Sequence, residues 1–300
     1  MSSQSPTALA LIDPHKDTFS LVDPAKPHVY VEDYATFRGD GIFETVLVKP
    51  GDPAILYAGD LHFQRFGTSA DMLELPEPRP DLWNRAIQAV AKEHCARADY
   101  QAESAEADGL FSIRYTLSRG TAAAMGWVMS LPIPSTYLQQ RVSGLSLVTI
   151  NKGYKARFGL DAPWMLIGAK TLSYATNEAA GRYARAQGAD DALYISDDGV
   201  ILECPTSNII VQHGSTLSTP DPEAGLLHGT TQRLIFAAAE DKGYSTRYAD
   251  LGLGDLRSAD GIFVTSATRV CVPVTHIDDI QCAVNHELAA TLRGWVQESA

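Results

Sequence analysis

The sequence has few cysteines, and their spacing is unlike that of common zinc or redox sites. The four lie at Cys95, Cys204, Cys271 and Cys282 in a chain of 300 residues. No C-x-x-C pair occurs, and no His/Cys cluster has the spacing of zinc ligands. We therefore predict free thiols in a reducing compartment and no metal site.

Long apolar runs and positive charge are also scarce. No apolar stretch approaches the roughly 20 residues that a membrane-spanning helix needs, and residues 1–14 lack the pattern of a secretory leader. Lys and Arg number 24 against 36 Asp and Glu, so the formal net charge is −12. Such a charge disfavours nucleic acids and anionic membranes as partners. These absences predict a soluble cytoplasmic protein. They do not exclude an anionic small substrate, because a local basic pocket can lie inside an acidic protein.

The hydrophobic content, 45% of the residues, is sufficient for two cores in a chain of this length. Periodicity predicts helices at 61–73, 80–97, 177–187, 230–242 and 285–297. It predicts strands at 43–48, 54–57, 111–118, 145–150, 192–196, 200–203, 209–212 and 261–265. The Pro/Ser-rich stretch 130–137 is the candidate linker. We predict an α/β (α+β) protein with a smaller N-terminal domain at 1–132 and a larger C-terminal domain at 133–300.

A single lysine follows an apolar run in the segment 166–177, LIGAKTLSYATN. Partial burial of Lys170 would disfavour its charged form and make its amine a better nucleophile. Imine chemistry with a carbonyl compound needs such an amine. The alternative is a solvated lysine near the end of a strand, which is the commoner role.

A carboxylate ends the short apolar stretch that follows the turn at 197–199. Glu203 could sit beside a pyridine nitrogen and keep that ring protonated. Its alternative role is an ion pair at the surface.

Three further segments could bind an anion. Residues 227–232 (LHGTTQ) open a helix with Thr230 and Thr231, where backbone N–H groups and the helix dipole favour negative charge. Thr265 and Ser266 end an apolar strand and offer hydroxyl donors. Arg65 could clamp a phosphate through its planar guanidinium. Helix capping, strand termination and a surface arginine are the respective alternatives.

Taken in order, these motifs resemble the class IV aminotransferases. The family's Gly-Asp-Gly-x-Phe-Glu segment corresponds to residues 38–45 (RGDGIFET), and its His-x-x-Arg corresponds to His62 and Arg65. The lysine, the Glu-x-x-x-Ser-Asn segment, the Gly-x-Thr helix start and the Thr-Ser-Ala strand end follow. The resemblance covers about residues 30–275 and implies a two-domain fold type IV enzyme, similar to D-amino-acid aminotransferase, with pyridoxal 5′-phosphate (PLP) as cofactor.

The resemblance also implies roles for single residues and a homodimer. Lys170 would form the Schiff base with PLP, and Glu203 would pair with the pyridine nitrogen. The phosphate would be held by Arg65, Thr230, Thr231, Ser266 and Thr265. Tyr174 would approach the phenolic oxygen of PLP.

The sequence favours one reaction within the family. D-amino-acid aminotransferases carry a tyrosine where this chain has Thr36, and they carry a Pro-Arg-x-His motif that is absent here. Arg114, six residues before Gly120, has the spacing of the branched-chain enzymes. The Ser-Arg-Gly turn and the segment 38–45 are more similar to aminodeoxychorismate lyase.

We therefore predict a lyase that converts 4-amino-4-deoxychorismate to p-aminobenzoate and pyruvate in folate synthesis. Arg114, Arg38, Thr36 and Arg119 are the candidates to bind substrate, although Arg119 could equally be a turn residue. The alternative within the family is a transaminase of L-branched-chain or related amino acids. A catalytically idle α/β module is the alternative from another class.

Overall fold

The computed structural model describes residues 7–299. Residues 1–6 and residue 300 lie outside the described residues. The predicted N-terminal domain begins with the former, and the predicted C-terminal domain ends with the latter. The chain forms two compact units. The first contains the described residues up to Leu138 together with Ala169–Tyr174, and the second contains Gln139–Gly168 and Ala175–Ser299. The predicted C-terminal range included Lys170, but the structure places the segment around this lysine in the first unit.

The first unit is built on a six-stranded antiparallel sheet with the order β2-β1-β6-β5-β3-β4. Its strands are β1 (Ala8–Asp13), β2 (Thr18–Val22), β3 (Gly41–Lys49), β4 (Ile55–Leu56), β5 (Phe111–Ser118) and β6 (Met125–Leu131). Its helices are α1 (Tyr34–Arg38), α2 (Gly59–Met72), α3 (Pro80–Cys95) and α4 (Tyr100–Ser104).

Aromatic packing ties α2 and α3 to this sheet. α3 begins with Pro80, which suits the first helical position, and it buries an apolar stripe that includes Trp83. The ring of Phe66 meets Trp83 edge to face at 5.0 Å and Tyr115 of β5 at 4.9 Å. Because Phe66 lies on α2, this contact fixes the helix that also carries His62 and Arg65.

The second unit is built on a mixed eight-stranded sheet with the order β11-β10-β9-β12-β13-β7-β8, and β14 pairs with β13. Its strands are β7 (Leu145–Asn151), β8 (Asp191–Ile195), β9 (Asn208–His213), β10 (Thr216–Pro220), β11 (Ser245–Ala249), β12 (Gly261–Ser266), β13 (Val270–Ile277) and β14 (Ile280–Gln281). The helices are α5 (Ser135–Ser143), which contains the boundary between the units, α6 (Phe158–Asp161), α7 (Ala175–Ala186), α8 (Thr230–Ala239), α9 (Leu253–Arg257) and α10 (His286–Glu298).

The mixed α/β class is confirmed, but one local prediction is wrong. The candidate linker 130–137 connects β6, which runs to Leu131, with α5, which begins at Ser135, and the boundary between the units follows Leu138. Within the predicted strand 200–203, only Ile201 forms a bridge, an isolated one with Ile195. The N–H of Leu202 and the carbonyl of Glu203 bond to the backbone of Tyr194, but the N–H of Ile201 donates to the carbonyl of Leu251. Because these backbone groups bond to two different segments, no regular strand forms.

Two predictions from composition can be compared with the described residues. All four cysteines are free, and three of them are buried. Within residues 7–299, no helix combines the length and the hydropathy that crossing a bilayer requires.

Candidate active site

Lys170 is held by backbone hydrogen bonds within the first unit. Its N–H donates to Ser69 Oγ at 3.1 Å, and its carbonyl accepts from the N–H of Phe43 at 3.0 Å. Thr171 then pairs with Ile42 in an antiparallel bridge. The segment therefore adds a short length of strand to β3 and fixes the point from which the lysine side chain projects.

The ring of Phe43 makes cation–π contacts with two side chains. The Lys170 ammonium lies 4.6 Å from the ring centroid, and the Arg114 guanidinium carbon lies 3.7 Å from it. The Tyr174 ring meets the same ring edge to face at 5.4 Å. Cations are attracted to the negative face of an aromatic ring, so Phe43 orders Lys170, Arg114 and Tyr174 around one side chain.

A fully buried carboxylate lies next to Phe43 in the sequence. Glu44 accepts hydrogen bonds from Arg65 Nε (2.6 Å), Arg65 Nη2 (2.8 Å) and His62 Nδ1 (2.7 Å). Burial alone would raise the pKa of the Glu44 carboxyl, but the charge of Arg65 and the hydrogen bonds hold it well below its usual range. The carboxylate is therefore ionised, and it fixes Arg65 in a planar bidentate pair.

His62 completes this cluster. Burial, first of all, lowers the pKa of its ring. Glu44 opposes this effect, while the charges of Arg65 and Lys170 add to it. Because an ionised Glu44 can only accept, the neutral ring carries its proton on Nδ1.

In the second unit, the Glu203 carboxylate accepts hydrogen bonds from a backbone N–H group and a side-chain amide. The N–H of Leu227 donates to both carboxylate oxygens at 3.3 Å, and Asn208 Nδ2 donates to Oε2 at 3.2 Å. The same amide group of Asn208 also donates to the carbonyl of Leu227 at 2.8 Å. Glu203 thus presents an oriented carboxylate, which is an acceptor suited to a protonated ring nitrogen.

The start of α8 fits an anion. Gly229 precedes the helix and can supply no capping side chain, while Thr230 and Thr231 are buried in its first turn. A Cβ at Gly229 would lie 1.9 Å from Asn208 Oδ1, so only glycine allows this close approach. Helix N-termini with hydroxyl donors are suited to phosphate groups.

A buried hydroxyl lies on the strand beside Asn208. Thr265 pairs with Asn208 in the β12–β9 register, and its Oγ1 has no hydrogen-bond partner among the described residues. Ser266 Oγ accepts from the N–H of Arg269 at 3.2 Å. A buried hydroxyl without a partner costs free energy unless a ligand satisfies it, so Thr265 adds a donor suited to an anion.

The candidate substrate residues are in unlike surroundings. Arg38 and Thr36 are exposed on α1, and the Arg38 guanidinium stacks on Phe37 at 4.2 Å. Arg119 donates to the Asp40 carboxylate at 2.6 Å and to the carbonyls of Leu73 and Glu74. These bonds favour the turn role of Arg119. The side chains of Arg114 and Lys170 each make a cation–π contact with the ring of Phe43.

Comparison with known proteins decides the family. The family model described as amino-transferase class IV matches residues 41–277. The chain belongs to the class IV aminotransferase family. It is 35% identical over 266 residues to a bifunctional aminodeoxychorismate lyase/D-amino acid transaminase from Mycobacterium tuberculosis, which covers 86% of this chain and 89% of that protein.

Two solved structures support this membership and the fold type IV architecture. The fold IV transaminase CpuTA1 from Curtobacterium pusillum has a TM-score of 0.85 and 36% identity, covering 96% of this chain and 98% of that one. A hypothetical aminotransferase from Mycobacterium tuberculosis in its PLP-bound form has a TM-score of 0.87 and 31% identity, covering 97% and 98%.

Sequence reasoning missed several parts of this class IV aminotransferase. Glu44 and Phe43 stand in the quoted motif 38–45, but their contacts with Arg65 and Lys170 connect residues far apart in the chain. Asn208 stands in the quoted Ser-Asn pair, yet nothing in the pattern shows that its amide orients Glu203.

Proposed function

We propose that the protein is a PLP-dependent aminodeoxychorismate lyase, which converts 4-amino-4-deoxychorismate to p-aminobenzoate and pyruvate. The observation that carries the proposal is the similarity, over 86% of the chain, to the bifunctional lyase/transaminase of Mycobacterium tuberculosis. The similarity of the segment 38–45 and of the Ser-Arg-Gly turn to aminodeoxychorismate lyase favours the same reaction.

The cofactor is PLP, as the membership in the family and the PLP-bound relative support. The residues fit its chemistry: an oriented carboxylate suits the pyridine nitrogen, and a glycine-started helix with buried threonines suits the phosphate. Bound PLP supplies an electron sink for the carbon that loses its proton. Glu203 would accept the ring N–H, and Tyr174 would contact the phenolic oxygen. The phosphate would be held by Arg65, Thr230, Thr231, Ser266 and Thr265.

Lys170 would be the catalytic residue. Its amine would hold the cofactor, and once the substrate's amine has taken its place the freed Lys170 amine would remove the proton from the ring carbon that bears that nitrogen. The bond from the neighbouring ring carbon to the enolpyruvyl oxygen then breaks, and the enolpyruvyl group takes up a proton and leaves as pyruvate. The six-membered ring becomes aromatic, which makes this elimination strongly favourable.

Arg114 is the first candidate to bind a substrate carboxylate, because it shares the ring of Phe43 with Lys170. The substrate carries two carboxylates, so Arg38 and Thr36 on α1 remain candidates for the second. Arg119 is the weakest of the four, since Asp40 and two carbonyls already engage its guanidinium.

The second candidate function is a transaminase. The Mycobacterium tuberculosis relative carries a D-amino acid transaminase activity in its name, and the Curtobacterium relative is a transaminase. These relatives return D-amino acids, which the sequence disfavoured, to the candidate substrates beside L-branched-chain amino acids. A transaminase would need a keto acid to complete its cycle, whereas a lyase would not.

Product analysis in three vessels distinguishes these functions. Holoenzyme receives aminodeoxychorismate without a keto acid in the first, D-alanine with 2-oxoglutarate in the second and L-leucine with 2-oxoglutarate in the third. We expect p-aminobenzoate and pyruvate in the first vessel, and none with Lys170→Ala. Glutamate in the second or third vessel without p-aminobenzoate in the first would reject the lyase and assign a transaminase.

We also propose that the enzyme is a cytoplasmic homodimer, as the resemblance to the family suggests. Sedimentation equilibrium of the holoenzyme should give about twice the chain mass of 32.4 kDa. A single-chain mass at micromolar concentration would reject the dimer.

A further inference from the structure

Lys152 is a half-buried cation in the second unit with a rigid support. It follows β7 directly, and its N–H donates to the carbonyl of Ile195 at 2.8 Å. Its ammonium lies 3.6 Å from the centroid of the Tyr194 ring. A cation this close over an aromatic face is held in place as well as attracted, so the position of the charge is set by Tyr194.

Tyr194 is itself fixed at both ends. Its hydroxyl donates to Asn177 Oδ1 at 3.2 Å, and Asn177 Nδ2 donates to the carbonyl of Pro205 at 2.8 Å. Its backbone N–H donates to the carbonyl of Glu203 at 2.9 Å. Tyr194 therefore lies next to Lys152 on one side and is paired with Glu203 on the other.

The two charged groups act on each other. Burial lowers the pKa of the Lys152 ammonium, and the carboxylate of Glu203 is the group that opposes this. Two further titratable groups near Glu203 have raised pKa values: burial, first of all, raises the pKa of Tyr154 to about 12 and that of the Cys204 thiol well above its usual value. The uncharged donors Leu227 N–H and Asn208 hold the carboxylate from the loop side.

We propose that Lys152 is a positioning residue for the cofactor: its ammonium, carried on the Tyr194 ring, keeps the Glu203 carboxylate ionised and ready to accept the pyridine N–H. The proposal rests on the proposed role of Glu203 but is the same for a lyase and a transaminase. A cation near a carboxylate favours its ionised form by about 1 pH unit or more. Removing this cation should therefore make Glu203 easier to protonate.

Carbon-13 NMR of holoenzyme labelled at the glutamate side-chain carboxyls measures this directly. The signal of Glu203 is assigned by its disappearance in Glu203→Gln. We expect its titration midpoint to rise by about 1 pH unit in Lys152→Met and to return to the parent value in Lys152→Arg. An unchanged midpoint in Lys152→Met would overturn the proposal.

Two matched variants separate charge from packing. Lys155→Met removes an exposed lysine three residues away and should leave the midpoint unchanged. Tyr194→Phe keeps the ring but loses the bond to Asn177, and it also should leave the midpoint unchanged. If either variant moved the titration midpoint of Glu203 as far as Lys152→Met does, the midpoint would respond to any local disturbance. This result too would overturn the proposal.

The failure of this inference differs from a failure of the proposed function. If Lys152→Met keeps the cofactor on Lys170 and the Glu203 midpoint does not move, the inference fails and the function stands. If the unmodified holoenzyme carries PLP on a lysine other than Lys170, the function fails whatever Lys152 does.

Discussion

Arg65 and Glu44 form a planar ion pair inside the first unit, with Nε 2.6 Å from Oε1 and Nη2 2.8 Å from Oε2. The side chain of Glu44 is completely buried, and that of Arg65 is 12% exposed. Two parallel hydrogen bonds fix both the place and the plane of the guanidinium. The orientation of Arg65, our candidate for the phosphate, is therefore set before any ligand binds.

Glu44→Gln should destabilise the enzyme by about 3 kcal/mol, because a buried arginine would lose its charged partner. Urea unfolding at pH 7.5 measures this change. Asp13→Asn is the control, since it breaks an ion pair with Lys16 that is exposed to solvent, and it should leave the unfolding midpoint nearly unchanged. If both variants lost the same free energy of unfolding, burial would not strengthen the contribution of the Glu44–Arg65 ion pair to stability.

Borohydride should reduce the link between PLP and the protein at Lys170 alone. Peptide mapping should then find the phosphopyridoxyl mass on the peptide that contains this lysine. Lys170→Arg keeps a cation over Phe43 but cannot form the covalent bond, so it should fold and carry no label. A labelled Lys152 or any other lysine would remove Lys170 from its proposed role.

Gly229→Ala should weaken PLP binding at least tenfold, because the new Cβ would meet Asn208 Oδ1 at 1.9 Å and displace the amide that orients Glu203. Titration of apoenzyme with PLP, followed by absorbance, gives the dissociation constant. Gly294→Ala in α10 is the control: its Cβ meets nothing within 4 Å, so it should stabilise the helix by about 0.5–1 kcal/mol. Unchanged PLP affinity in Gly229→Ala would show that the helix start does not need glycine.

His94 should make the enzyme less stable in acid. Its ring is buried against Phe111 at 4.2 Å, and burial lowers its pKa to about 4 from the ordinary 6.5. Below pH 6.5 the unfolded chain binds a proton that the folded chain does not, so stability falls as the pH drops from 6.5 towards 4. The full loss is about 3 kcal/mol.

Urea unfolding of the parent and of His94→Phe between pH 7.5 and 4.5 tests this pH dependence. The variant loses the hydrogen bonds to Thr7 and Ser130 and starts less stable, but its stability should fall less steeply with pH. The exposed His286→Gln should keep the parent's slope. A slope in His94→Phe as steep as the parent's would assign the acid sensitivity to other groups.

Local patterns explain which parts of the fold were predictable. The predicted strand 111–118 coincides with β5, and the predicted helix 80–97 corresponds to α3. Both were predictable because the spacing of their apolar residues matches the period of the element. β13 was missed, since Pro273 interrupts its apolar run. Residues 169–174 were assigned to the wrong unit because their partners in β3 lie more than 120 positions earlier.

The candidate site was predictable as residue types but not as contacts. Chemistry singled out Lys170, Glu203 and Arg65 from their motifs. The partners that fix them, Glu44 for Arg65 and Asn208 for Glu203, depend on tertiary structure. Arg119 is a further example. Its hydrogen bond to Asp40 joins residues 79 positions apart, so the sequence alone left the role of Arg119 undecided.

The pairing of Lys170 and Thr171 with β3 has a consequence for synthesis on the ribosome. β4 pairs only with Val48 and Lys49, so the start of β3 at Gly41–Phe43 has its open edge covered by residues 170–172. When the first 138 residues have emerged, this edge still exposes unpaired backbone groups, which are a template for aggregation. The nascent protein therefore lacks the residues that cover this edge until the segment 169–174 has left the exit tunnel.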